Sequence, residues 1–183
     1  MNKEIIVIDG FYHDPDAVRK FALSQEFGVK GNYPGMRTET FVEDDVRGHL
    51  ERIMNINIDE MHWKVGEYTG SFQYVTKGTP TWVHADTGTD WSCLVYLHPD
   101  PAPNSGTSFY KHKETGSRIF DDNGAAIESD GSNYDKWTRE DVISNVYNRA
   151  IIFNGDLWHA ADEYFGEDLE SARLFQTFFF NEE

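Results

Sequence analysis

The first third of the chain combines one short apolar run with two stretches in which apolar residues recur every three to four positions. The run at residues 5–8 ends at Asp9-Gly10 and predicts a short buried strand. Asp14-Pro15-Asp16 then supplies an N-cap, a proline at the first helical position and an acid in the first turn, which predicts a helix of about three turns. A second helix is predicted over residues 44–54, with an apolar stripe of Val46, Leu50, Ile53 and Met54.

From residue 58 the pattern changes to short runs with β character, separated by turn residues. Many short strands with frequent turns are typical of a sandwich or a jelly roll. We therefore predict a mainly β (α+β) fold whose N-terminal helices pack on the outside of the β core. The strands are predicted at residues 62–65, 71–76, 81–85, 92–97, 107–111, 150–154 and 172–180.

Residues 112–145 interrupt this pattern with a long polar segment that is rich in turn residues. Within it, Thr138-Arg139-Glu140-Asp141 is predicted to cap a short helix that runs to Val146. An insertion of this length is usually a functional lid or a mobile surface loop, and the sequence leaves both open. The 183 residues fit one domain, with the first strand and helices in residues 1–57 and the β core in residues 58–183.

The charge balance narrows the classes of partner. A formal net charge of −16 opposes binding to a phosphate backbone or an anionic bilayer, so we expect neither nucleic-acid nor membrane binding. The single cysteine, Cys93, lies in an apolar run and is expected to be a buried, inert thiol in a reducing compartment. The N-terminus is apolar for only four residues, which is too short for a signal peptide, so a cytoplasmic protein is expected.

Three residues form a candidate metal site. On a strand, side chains two positions apart point to the same face, so His84 and Asp86 can reach one ion. His159 follows an apolar strand and a turn at Gly155, where it could face that pair. Two imidazoles and one carboxylate suit Fe(II) in oxygenases, because they leave coordination positions open. The alternatives are an exposed turn whose histidine caps a strand end, and an ordinary core or surface histidine at position 159.

Arg173 opens a strongly aromatic strand. Period two places Arg173, Phe175, Thr177 and Phe179 on one face of it. An arginine at the head of so apolar a strand needs a counter-charge if it is buried, and an internal acid or a bound carboxylate could serve. Its planar fork could grip the far end of a dicarboxylate, and Thr177 could add a hydroxyl. In the loop at residues 31–37, Arg37 could contact substrate, although a purely structural loop is at least equally consistent.

Taken together, ordered landmarks over residues 62–181 resemble the Fe(II)- and 2-oxoglutarate-dependent dioxygenases, most closely the prolyl-hydroxylase-like branch. The landmarks agree with that family in order, spacing and strand character. They are His84-Ala85-Asp86, then Leu94-Val95-Tyr96-Leu97, then Ser105-Gly106-Thr107-Ser108-Phe109, then Ala150-Ile151-Ile152-Phe153, then His159, and finally Arg173 with Thr177.

The resemblance implies a double-stranded β-helix, or jelly roll, that holds Fe(II) through His84, Asp86 and His159 and takes 2-oxoglutarate and O2 as co-substrates. It implies that Arg173 binds the distal carboxylate of 2-oxoglutarate, and that Tyr74 and Tyr96 contact this co-substrate. Since halogenating relatives lack the carboxylate found here at Asp86, hydroxylation or a related oxidation of a small molecule or a protein side chain is favoured.

Two other classes stay open at this point. One is a cupin-like module that binds a metal without oxygenase activity. The other is a β-sandwich interaction protein whose histidines and aspartates only decorate its surface. Neither the substrate nor the oligomeric state follows from the sequence.

Overall fold

Two antiparallel sheets build the protein, and a deep cavity is lined by residues from both. The computed structural model describes residues 4–31 and 33–183. The strands are β1 Ile5–Asp9, β2 Met36–Arg37, β3 Phe72–Val75, β4 Trp91–Tyr96, β5 Thr107–His112, β6 Trp137–Ile143, β7 Arg149–Asn154, β8 His159–Ala161 and β9 Arg173–Phe180. The helices are α1 Pro15–Leu23, α2 Asp44–Met54, α3 Glu60–Val65 and α4 Gly124–Glu128.

The larger sheet has six strands in the order β1-β7-β4-β9-β3-β2, and the smaller sheet has the order β6-β5-β8. Strand β4 lies near the middle of the larger sheet, between β7 and β9. Every pairing between these strands is antiparallel. The mainly β jelly-roll prediction is therefore confirmed.

The helices and strands with the strongest local sequence signals form where they were predicted. The Asp14 side chain accepts a hydrogen bond from the Ala17 amide and caps α1, whose first residue is Pro15. Helix α2 covers residues 44–54 and ends at Asn55 in the left-handed conformation. The strands predicted near residues 5–8, 71–76, 92–97, 107–111, 150–154 and 172–180 are all present.

Two of the predicted strands are wrong. Residues 62–65 belong to helix α3, because the Asp59 side chain accepts hydrogen bonds from the amides of Met61 and His62 and nucleates a helical turn. Residues 81–85 form no strand. They are extended, but a single bridge from His84 to His159 is their only ladder contact in the described part of the chain.

The helix predicted from Thr138 to Val146 is also wrong, because these residues lie largely in strand β6, which pairs with β5. The capping-type sequence is overridden by cross-strand hydrogen bonds and by the burial of Trp137 at the start of the strand. The insertion at residues 112–145 is thus partly built into the smaller sheet, and it also carries α4.

The main apolar core covers one face of the larger sheet. Residues of α1 and α2, such as Ala22 and Leu50, share this cluster with Cys93, Leu174 and Phe178. Cys93 is fully buried, and burial raises the pKa of its thiol, as expected for an inert cysteine. The opposite face of the sheet is thereby left to line the cavity. Within residues 4–31 and 33–183, no helix has both the length and the apolar character that a membrane crossing requires.

Candidate metal centre

The segment that carries His84 and Asp86 is fixed by backbone hydrogen bonds to three separate parts of the chain. The Val83 amide donates to the Gly131 carbonyl at 3.0 Å, and the Asp86 amide donates to the Gly155 carbonyl at 2.8 Å. Between them, His84 and His159 exchange backbone hydrogen bonds in both directions. The two histidines are therefore held side by side by the main chain.

The three predicted ligands converge on one point. One potential ligand atom from each of His84, Asp86 and His159 lies within 4.8 Å of the others. His84 Nδ1 is 3.1 Å from the Trp82 carbonyl oxygen, and His159 Nδ1 is 2.8 Å from the Leu157 carbonyl oxygen. Because a carbonyl only accepts hydrogen bonds, each Nδ1 carries a proton and each Nε2 keeps its lone pair free for a metal.

The Asp86 carboxylate is oriented by a neighbour on β4. Ser92 Oγ donates a hydrogen bond of 2.7 Å to Asp86 Oδ2. The carboxylate oxygens then lie 3.8 Å from His84 Nε2 and 3.5 Å from His159 Nε2. This donor set fits a divalent first-row metal. The remaining coordination positions of such a metal would face the cavity.

The electrostatics favour a neutral imidazole at His84. Burial, together with the proximity of His159, lowers the pKa of His84 to about 4. A histidine that stays neutral at physiological pH is ready to donate its lone pair to a metal. Tyr33 stacks on the His84 ring with the centroids 4.1 Å apart, and its hydroxyl contacts Thr81 Oγ1 at 3.0 Å. This packing shields the ligand from water.

The three predicted ligands line a cavity of about 630 Å³. Its floor is the inner face of the larger sheet, where Arg173, Phe175, Thr177 and Phe179 of β9 line it as the period-two pattern predicted. Residues of the smaller sheet, including Thr107 and Ala161, also line it. A cavity of this size is in the range of small-molecule sites.

Arg173 is a buried cation inside this cavity, with a relative exposure of 1%. It donates to the Ser105 carbonyl at 2.9 Å, and more weakly to the Gly106 carbonyl and Thr107 Oγ1 at 3.3 Å. The rings of Tyr96, Tyr164 and Phe175 surround its guanidinium. Among residues 4–31 and 33–183, no carboxylate makes an ion pair with it. A buried guanidinium without an acidic partner is a suitable binding group for an anionic ligand.

The remaining predicted site residues separate into two groups. Tyr96 is buried under Arg173, and its hydroxyl contacts Thr107 Oγ1 at 2.9 Å. Thr177 lines the cavity, although its hydroxyl already donates to the Tyr68 carbonyl at 3.2 Å. Tyr74 points to the other face of the sheet, where it packs against Phe27 in the main core, so the structure does not bring it to the site.

Several residues of the site were not singled out from the sequence. Ser92 could have been found, because it precedes Leu94 and Tyr96 at every second position of β4 and so shares their face. Tyr164 lies in the irregular segment between β8 and β9, where no periodicity marks it. Gly131 belongs to the polar insertion, which gave no sign that its carbonyl would hold the segment before His84.

This fold and this site define a class: a jelly-roll protein with the architecture of the Fe(II)- and 2-oxoglutarate-dependent oxygenases and a possible His-Asp-His metal site. The chain itself belongs to the family described as "Family of unknown function (DUF6445)", whose model matches residues 1–180. No curated protein matches the sequence.

Solved structures of that class share the fold. The chain is similar to a prolyl hydroxylase from Trichoplax adhaerens in complex with a hypoxia inducible factor peptide fragment, with a TM-score of 0.55 and 12% identity over 97% of this chain and 83% of the other. HygX from Streptomyces hygroscopicus, with nickel and 2-oxoglutarate bound, gives 0.55 and 14% over 97% and 82%. The carbocyclase SnoK from nogalamycin biosynthesis gives 0.58 and 13% over 97% and 79%. The predicted resemblance is therefore confirmed at the level of the fold.

Proposed function

We propose that this protein is an Fe(II)- and 2-oxoglutarate-dependent oxygenase that hydroxylates a C–H bond of a small molecule or a protein side chain. The proposal is supported above all by the environment of Arg173. Arg173 is a buried cation without an acidic partner in the described chain, and it lines the same cavity as three preorganised metal ligands.

In this proposal His84, Asp86 and His159 hold Fe(II), and Arg173 binds the distal carboxylate of 2-oxoglutarate. Thr107 and Tyr96 position the Arg173 side chain through the contacts described above. Bound Fe(II) supplies the oxidation chemistry, in which O2 and 2-oxoglutarate are consumed and succinate, CO2 and a hydroxylated substrate are formed.

The protein itself contributes orientation and exclusion of water. The carbonyls of Trp82 and Leu157 keep each ligand nitrogen free, and Ser92 fixes the rotation of the Asp86 carboxylate. The aromatic rings around Arg173 keep water away from its ion pair with the co-substrate, which strengthens that pair. Because Asp86 supplies a carboxylate ligand, we favour hydroxylation over halogenation.

The first experiment is anaerobic reconstitution with Fe(II) and 2-oxoglutarate, followed by visible spectroscopy. We expect a weak metal-to-ligand charge-transfer band that is absent from His84→Ala and present in His13→Ala, a matched change at an exposed histidine. On exposure to O2, the wild-type protein is expected to form succinate. Metal binding without the band would instead indicate a cupin-like module. A protein that binds no metal would contradict the proposal altogether.

A further inference from the structure

A second buried arginine lines the cavity. Arg37, in strand β2, has a relative exposure of 4%. Its side chain makes no ion pair with a carboxylate in the described part of the chain, and burial lowers the pKa of its guanidinium. Among the described residues that line this cavity, Arg37 and Arg173 are the only ones with a lysine or arginine side chain.

The sheet register explains why the two arginines share a face. Arg37 pairs with Gln73 on β3, and Gln73 pairs with Phe175 on β9. Directly paired residues of antiparallel strands point to the same side, so this row faces the cavity together with Phe175. Arg173 lies two positions along β9 from Phe175 and therefore points the same way. Strand β2, which carries Arg37, and strand β9, which carries Arg173, are therefore two strand spacings apart across the sheet.

The Arg37 guanidinium is only partly satisfied. Nη2 donates to the Tyr33 carbonyl at 2.9 Å, whereas Nη1 is buried without a hydrogen-bond partner among residues 4–31 and 33–183. The Tyr68 ring covers the group, with its centroid 5.1 Å from the guanidinium carbon. An unpartnered charged donor in a buried place destabilises the protein on its own, and a bound anion would remove that penalty.

The residue that covers Arg37 is itself strained. Tyr68 adopts a φ of +62°, a left-handed conformation that a bulky aromatic residue rarely takes. The segment around it is tied to β9, since the Tyr68 carbonyl accepts a hydrogen bond from Thr177. Strain of this kind concentrates at ligand-binding sites, where a fixed side-chain position is needed. Tyr68 is thus held where it both packs on Arg37 and lines the cavity.

We propose that Arg37 forms a second anion-binding subsite, which recognises a carboxylate on the substrate, and that the substrate is a small carboxylate-bearing molecule. This inference rests on the proposed function, in which Arg173 is occupied by the distal carboxylate of 2-oxoglutarate. Arg37 then remains as the cation available to a second ligand.

The test is a binding titration on protein loaded with Zn(II), which is redox-inert, and saturated with 2-oxoglutarate. The probes are 4-fluorobenzoate and the neutral 4-fluorobenzamide, followed by fluorine NMR. We expect the benzoate to bind at least about tenfold more tightly than the amide, because hydrogen bonds to a charged group are stronger. Equal binding of the two probes, or no binding of the benzoate, would overturn the proposal.

Two variants locate the effect. Arg37→Gln should remove the preference for the acid, while Arg52→Gln, on the exposed side of α2, should keep it. Gly31→Ala provides a second route that keeps the charge, since its Cβ would lie 2.7 Å from Arg37 Nη1 and push the flexible tip aside. Gly31→Ala should weaken benzoate binding, and it therefore tests the proposal even if the Arg37→Gln variant does not fold. An unchanged acid preference in a folded Arg37→Gln variant would contradict the assignment.

The same titrations separate this inference from the proposed function. If Arg37→Gln lost 2-oxoglutarate instead of benzoate, Arg37 would belong to the co-substrate site and the second subsite would be refuted. If wild-type protein bound neither Zn(II) nor 2-oxoglutarate, the proposed function would fail, and benzoate binding to the metal-free protein would still test Arg37. A capped peptide, acetyl-Ala-Glu-Ala-amide, serves as the competing source of a carboxylate. Tighter binding of this peptide than of the benzoate would overturn the small-molecule assignment.

Discussion

His84 and His159 are joined through their backbones: each amide donates to the carbonyl of the other at 2.9 Å. Their ring centroids are 4.3 Å apart as a result. The spacing of the two imidazoles is therefore set by main-chain geometry, and side-chain rotation only has to aim each Nε2 at the shared point. Such a site requires little reorganisation to accept a metal.

Removing either imidazole should abolish stabilisation by metal. At a free Zn(II) concentration 100 times the dissociation constant, we expect the wild-type protein to gain about 2.7 kcal/mol in free energy of unfolding. His84→Ala and His159→Ala should gain almost nothing, whereas His13→Ala should behave as wild type. Thermal unfolding with and without Zn(II) measures this. A full metal-dependent shift in both ligand variants would contradict the assigned ligands.

Replacing Arg173 should weaken co-substrate binding while sparing the metal. Loss of a buried, charge-assisted contact to a carboxylate is expected to cost about 2–5 kcal/mol of 2-oxoglutarate binding. We propose Arg173→Ala together with Arg173→Met, which replaces the charged side chain with an uncharged one and fills more of the space than alanine does. Calorimetric titration of 2-oxoglutarate into Zn(II)-loaded protein gives the affinity, with Arg52→Ala as the control. Unchanged affinity in a folded variant would refute the role of Arg173.

Ser92→Ala should weaken metal binding without removing a ligand. Ser92 holds Asp86 Oδ2 by a hydrogen bond of 2.7 Å, and loss of such a supporting contact typically reduces metal affinity by about 10–100-fold. Ser24→Ala removes an exposed hydroxyl at the C-terminal end of α1 and should have no effect on the metal. Competition with a chromogenic chelator measures both affinities. Equal values for the two variants would show that Ser92 does not position Asp86.

Gly131→Ala should disturb the metal segment from a distance. Its Cβ would lie 2.3 Å from the Val83 carbonyl oxygen, so the backbone beside His84 must shift. We expect a loss of about 1–3 kcal/mol in unfolding free energy, as for other overpacked sites, and weaker Zn(II) binding. Gly28→Ala is the control, because no atom lies within 4 Å of its added Cβ. Urea unfolding and the chelator competition together report the result, and an unaffected Zn(II) affinity would argue against the coupling.

The sequence predicts the parts of the site that depend on strand periodicity. Arg173 and Thr177 were placed on one face of their strand by period two, and both line the cavity. The strand needed no further information, because it is eight residues long and rich in aromatic residues. His84 and Asp86 are two residues apart in an extended segment, so their convergence also followed from local geometry, even though that segment is not a strand.

Other parts depend on contacts between distant segments, which a single sequence does not encode locally. Tyr74 was placed at the site by resemblance, yet in β3 the residues that face the cavity include Gln73, and Tyr74 belongs to the opposite face. Because that strand has only four residues and is largely buried on both faces, its pattern does not reveal its orientation. The position of Arg37 beside the cavity likewise follows from the pairing of the two-residue strand β2 with β3, and so short a strand has no readable period.

The polar insertion at residues 112–145 also shows that local sequence signals do not determine contacts between distant segments. Its local signals indicated a helix after Thr138, but pairing with β5 produced a strand instead. Ile127 and Trp137 of this insertion pack with Val83 and Trp158, which flank the two histidines. The sequence left open whether the insertion is a lid or a mobile surface loop, and limited proteolysis with and without ligand would distinguish the two.

The pairing of His84 with His159 also bears on the conformational entropy of the unfolded chain. An ion held by both side chains would act as a reversible cross-link that closes a loop of 75 residues, including the whole polar insertion. Closing a loop of this length in the unfolded chain is entropically unfavourable, so a cross-link that survived partial unfolding would restrict the disordered ensemble as well as stabilise the native one. Loss of the ion would therefore release this loop constraint, and the concentration of available metal would set part of the free energy that separates the native state from the unfolded ensemble.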